Sequence, residues 1–91
     1  MSRRLLSVVR EVPEGGRAEY DRLWYTLRDA AVAAGAHGWR FASESEPDRY
    51  IEFIEFAADG DPVSTPPVPE ALDALDRHFP GDAGRWAGID T

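Results

Sequence analysis

The stretch Arg49-Tyr-Ile-Glu-Phe-Ile-Glu-Phe-Ala57 limits the possible folds of this chain more than any other. Its aromatic and β-branched residues predict a strand. Its side chains do not sort into one apolar and one polar face, because Tyr50, Ile54 and Phe56 fall on one side and Ile51 and Phe53 on the other. An earlier stretch, Arg4 to Val12, repeats the pattern with Leu6, Val8 and Val12 against Leu5 and Val9. A sheet built from such strands needs cover on both faces. With 91 residues the chain makes one domain, residues 1–91, and a domain of this size buries only roughly 60 to 65% of its unfolded surface. Helices can hide one face of the sheet, and a second copy of the chain is the economical cover for the other.

Between and after these strands the period changes. From Arg17 to Ala34, apolar residues at Tyr20, Leu23, Trp24, Leu27, Ala30, Ala31 and Ala34 mark one buried helical stripe, and Gly35 suits the left-handed closing position. Residues 37–44 alternate large apolar with polar side chains and make a hairpin with 49–57 across Ser45-Glu46-Pro47-Asp48. Residues 58–69, with four prolines, form a loop. Leu72, Leu75 and Phe79 then mark a short helix that starts near Pro69 and stops at Pro80-Gly81. The tail from Asp82 is rich in glycine; it predicts one helical turn that packs Trp86 onto the body, with any final strand lost or reduced. The expected fold is α+β: an antiparallel sheet with both helices on one face.

Composition removes several function classes. The 17 acidic against 10 basic residues, for a net charge of −7, argue against nucleic-acid binding, which needs clustered cations. With no Cys there is no thiolate zinc site, redox pair or Cys nucleophile, and with only His37 and His78 a metal site would need carboxylate co-ligands. No phosphate-binding glycine pattern and no nucleophile elbow occurs. Neither a cofactor nor a metal is expected. The start, Met1 to Leu6, loses its apolar run at Ser7 and meets Arg10, and no segment approaches the roughly 18 apolar residues of a membrane span. The expected location is the cytoplasm.

Residues 38–56, Gly-Trp-Arg-Phe-Ala-Ser-Glu-Ser-Glu-Pro-Asp-Arg-Tyr-Ile-Glu-Phe-Ile-Glu-Phe, resemble the central hairpin of the dimeric α/β-barrel superfamily. These ferredoxin-like domains include antibiotic-biosynthesis-monooxygenase-type proteins, and the element order over 4–79 resembles theirs. The resemblance implies a homodimer whose two sheets enclose a cavity. Family members include cofactor-free oxygenases, haem-handling enzymes, small isomerases and proteins with no known activity. The family's closing strand is weak or absent in the sequence pattern, and none of its polar catalytic residues matches one for one, so the resemblance speaks to fold and dimer rather than to chemistry.

Several side chains are candidates for a site. If the hairpin aligns Arg40 with Glu52, one face carries Arg40, Glu44, Tyr50 and Glu52, and the other carries Trp39, Phe41, Ile51 and Phe53. We assign the aromatic set to the helices and the polar set to the space between sheets. There Arg40 could hold a carboxylate or enolate, and a desolvated Glu52 could take a proton. The plainer alternative is an Arg40–Glu52 cross-strand pair, and a one-residue slip exchanges the two sets. His37, at a strand mouth, is the best proton carrier by its pKa, although a solvated turn His is the commoner case. His78 suits a helix C-terminus. Tyr20 and Trp24, one helical turn apart, could line an aromatic ligand's pocket or simply pack the core. The acidic pairs Asp59 with Asp61 and Asp73 with Asp76 read as solvation. Two functions follow. One is a non-catalytic dimeric module that binds a small hydrophobic or aromatic ligand or a partner; the alternative is a cofactor-independent monooxygenase or isomerase of a small aromatic or polyketide-like molecule.

Overall fold

The computed structural model describes residues 3–89. The strand-forming runs make β1 (Arg3–Glu11), β2 (His37–Ala42) and β3 (Arg49–Ala57). The two apolar stripes make α1 (Arg17–Ala33) and α2 (Val68–His78). A fourth strand, β4 (Gly81–Ala87), follows α2 at once. All neighbours are antiparallel, in the order β2-β3-β1-β4. This is a ferredoxin-like α+β domain with both helices on one face, as expected.

The helices form where the spacing places them. Tyr20, Leu23, Trp24, Leu27, Ala30 and Ala31 turn the buried side of α1 inward, and Val68, Ala71 and Leu75 do so for α2. At the end of α1, Gly35 takes φ +89°, and the Ala36 amide donates to the Ala31 carbonyl, which closes the helix. The Asp61 side chain accepts from the Val63 amide and starts the 3-10 turn Pro62–Ser64 in the loop before α2. No helix among the described residues is long and apolar enough to cross a membrane.

β4 corrects the expectation of a helical turn in the tail. It pairs with β1 over its whole length, from Arg10↔Gly81 to Arg4↔Ala87. Its small residues fit a close approach: a Cβ on Gly81 would stand 2.7 Å from the Val9 carbonyl oxygen and from Val8 Cγ1. The glycines that weaken the sequence signal for a strand are thus part of what admits it to this edge. Trp86 does not pack onto the helices. It lies on the opposite face, 59% exposed, with its indole N–H donating to Ser7 Oγ at 2.8 Å.

The register also reverses the facing assignment. β3 aligns Tyr50 with Ala42, Glu52 with Arg40 and Ile54 with Gly38, as the hairpin reading required. It is this set, with Leu6, Val8 and Arg10 of β1, that faces α1 and α2: Glu52, Ile54 and Phe56 are buried. Trp39, Phe41, Ile51 and Phe53 face away from the helices, and Trp39 and Phe41 remain 40% and 54% exposed. The reason is helix packing. α1 and α2 fill the layer above Leu6, Val8, Ile54 and Phe56, and a strand's period of two then sends the hairpin's alternate residues to the other side.

Candidate functional site

The helix-side layer has a charged centre that grows out of β1. Arg10 shares the parity of Leu6 and Val8, so its side chain enters the core and is 1% exposed. Its Nε donates to Glu52 Oε2 at 2.8 Å. Its Nη1 donates to Asp76 Oδ1 and to the Phe79 carbonyl, both at 2.7 Å, which ties the sheet to the end of α2. Tyr20, from α1, donates its hydroxyl to the same Glu52 oxygen at 2.7 Å. One carboxylate therefore joins β1, β3 and α1, and the guanidinium beside it adds α2.

The electrostatics follow from burial. Desolvation pushes the Glu52 carboxyl above the usual carboxylate range, while the hydrogen bond and charge of Arg10 pull it back in part. Tyr20 is also raised, first by desolvation and then by the negative charge of Glu52. Two polar atoms in this centre, Glu52 Oε1 and Arg10 Nη2, are buried without a hydrogen-bond partner. They leave one acceptor and one donor uncommitted.

Arg40 lies beside this centre without joining it. It is the register partner of Glu52, but its guanidinium pairs with Asp21 at 2.8 Å and lies over the rings of Tyr20, Tyr25 and Trp24, at 5.1, 5.3 and 5.8 Å from their centroids. Such stacking suits a half-desolvated guanidinium. The cross-strand Arg40–Glu52 pair is thereby replaced by two others, Arg10–Glu52 and Arg40–Asp21.

Of the residues singled out from the sequence, Arg40, Glu52, Tyr50, Tyr20 and Trp24 come together. Tyr20 and Trp24 are core residues, and Tyr50 packs its ring 5.1 Å from that of Tyr20. His37 and Glu44 do not join them. His37 is exposed at the start of β2, opposite Glu55, and Glu44 is exposed beyond the end of β2. His78 behaves as a helix-end residue, with its Nδ1 2.9 Å from the Ala74 carbonyl. Arg10 and Asp76 were missed, and Asp76 is not merely a solvated charge. Asp61, likewise, is engaged by the Val63 amide and by Arg85 at 3.4 Å. The available signal was the even position of Arg10 between Val8 and Val12, which puts a cation on the buried side of β1.

A four-stranded antiparallel sheet in the order β2-β3-β1-β4, two helices on one face and an apolar open face define a ferredoxin-like α+β domain. Solved structures agree on the fold. A Bacteroides thetaiotaomicron protein of unknown function, described as a possible oxidoreductase, is similar with a TM-score of 0.80 and 14% identity, over 96% of this chain and 98% of that one. A Bordetella bronchiseptica protein provisionally named an antibiotic biosynthesis monooxygenase has a TM-score of 0.73 and 15% identity, over 100% and 99% of the two chains. SnoaB, a cofactor-independent oxygenase from Streptomyces nogalater, has a TM-score of 0.74 and 9% identity, over 99% and 93%. No protein-family model and no curated protein matches the sequence. At these identities the likeness establishes the fold alone.

Proposed function

We propose that this protein works as a homodimeric binding module of the α/β-barrel kind, in which two copies cover each other's open sheet faces and a small apolar or aromatic molecule is bound. The carrying observation is the open face itself. Trp39, Phe41 and Trp86 stand 40%, 54% and 59% exposed there, beside the half-buried Leu5, Val9, Ile51 and Phe53. Large aromatic side chains gathered on one face are the usual core of a protein interface. A twofold pairing would remove them from water on both copies at once. The fold shared with SnoaB and the Bordetella protein supports this reading. The test is the Phe41→Arg variant, which sets a charge in the middle of the proposed seam. It should shift the chain from dimer to monomer in light scattering while its circular dichroism stays unchanged; an unaltered mass would remove the open face from the interface.

Glu52 favours a second reading, a cofactor-independent oxygenase or isomerase. A carboxylate with a raised pKa and a free oxygen, among Tyr20, Tyr50 and Arg40, is equipped to accept a proton from a phenol or an enolisable carbonyl. A substrate would have to enter between α2 and the sheet, where Arg10 holds Asp76 and the Phe79 carbonyl. Oxygen uptake with a panel of polyphenols, lost in Glu52→Gln, would support the enzyme; no uptake by the wild type leaves the binding module.

A further inference from the structure

At the far end of β1 from Arg10, about 20 Å away by strand rise, a cleft of about 290 Å³ opens where β1, β4 and the loop after β3 meet. Phe56 and Ala87, the register partners of Arg4 on either side, form its apolar floor. Ala58 and Asp61, from the loop after β3, wall it, and Arg4 and Arg85 bring two guanidiniums to it. We infer that this cleft is a binding site for a small monocarboxylate with an apolar body, such as an aromatic acid, with Arg4 and Arg85 holding the carboxylate and Phe56 and Ala87 meeting the body.

Three observations carry this. Arg4 makes no ion pair among the described residues, although the chain carries a net charge of −7 and eight of its ten arginines are so paired. Asp61 is already committed, with Oδ1 accepting from the Val63 amide at 2.9 Å and Oδ2 facing Arg85 Nη1 at 3.4 Å. That long contact places Arg85 without saturating its five donors. The cleft therefore carries two positive charges and one negative, which a single carboxylate balances and a phosphate dianion overshoots. Guanidinium forks match a planar carboxylate, and the apolar floor rewards a ligand with a hydrophobic body over a bare anion. The site is independent of the Glu52 centre, and its two guanidiniums and Phe56 share the helix-side parity of β1, while Leu5 and Trp86 of the open face complete its lining.

Benzoate and its neutral counterpart benzamide, titrated into the full chain and followed by amide and Trp indole NMR shifts, separate the outcomes. Benzoate should shift Arg4, Arg85, Ala87 and the Trp86 indole, which borders the cleft, in a saturable way, and benzamide should bind at least about tenfold more weakly. Arg4→Ala should weaken benzoate about tenfold, and Arg4→Lys should keep part of the affinity. The assignment is overturned if benzoate gives no saturable shift, if benzamide binds equally, if inorganic phosphate competes as well as benzoate, or if Arg4→Ala and Arg85→Ala both leave the titration unchanged. The Phe41→Arg monomer should bind benzoate as the wild type does, so failure here and failure of the dimer are read separately.

Discussion

Replacing Arg10 with Met keeps the length of a buried side chain and removes the charge that compensates Glu52. Glu52 is 1% exposed and would keep only the Tyr20 hydroxyl. Its escape is to take a proton, and that bounds the penalty. Neutralising a carboxyl with an ordinary value of 4.5 at pH 7 costs about 1.4 kcal/mol per pH unit, or about 3.4 kcal/mol. The Phe79 carbonyl and Asp76 lose a shared donor as well, so the total falls at about 3 to 5 kcal/mol, the range for breaking a buried pair. For a domain of this length that is a fall in Tm of about 15 to 25 °C. Thermal melts at fixed protein concentration measure it. As the pH is lowered from 7 the deficit against the wild type should shrink by up to about 1.4 kcal/mol per unit, and adding Glu52→Gln should restore part of the loss. A deficit below about 1 kcal/mol that is indifferent to pH and to the second substitution would refute the reasoning.

Three further outcomes are expected. Tyr20→Phe keeps the core ring but withdraws a donor from Glu52, and chemical denaturation should show a loss of about 1 to 3 kcal/mol. Because burial raises the Glu52 pKa in the folded state, the native chain holds a proton that the unfolded chain has released at pH values just above the ordinary Glu range. The Glu52 contribution to stability is therefore complete below that range and declines as pH rises through the folded pKa; urea titrations at stepped pH should show this decline in the wild type relative to Glu52→Gln, and a difference that grows with pH would mean that Arg10 outweighs desolvation. Gly81→Ala drives a methyl into the Val9 carbonyl oxygen and Val8 Cγ1, so hydrogen exchange should reveal early opening of β4 and a stability loss of about 1 to 3 kcal/mol.

The helices were legible because a stripe such as Tyr20, Leu23, Trp24, Leu27 and Ala31 has no competing explanation, and Gly35 marks its end at φ +89°. The hairpin register was legible too, from the fixed parity of 37–42 against 49–57. Facing was harder. With apolar residues on both sides of β3, hydrophobicity cannot say which side meets the helices, and only the fit of α1 and α2 over Leu6, Val8, Ile54 and Phe56 decides it. β4 was hidden by Gly81 and Gly84, whose low strand propensity is outweighed by pairing with β1. The charged centre was half legible. Glu52, Arg40 and Tyr20 were singled out, but the partner of Glu52 comes from β1, 42 residues away, and a contact so distant along the chain leaves no local spacing to read.

The most direct test of the account is the mass of the unmodified chain at sedimentation equilibrium in dilute solution. The account predicts twice 10.1 kDa, with Trp39 and Trp86 shielded from a soluble quencher. A mass of 10.1 kDa, with both indoles open to the quencher, would contradict it.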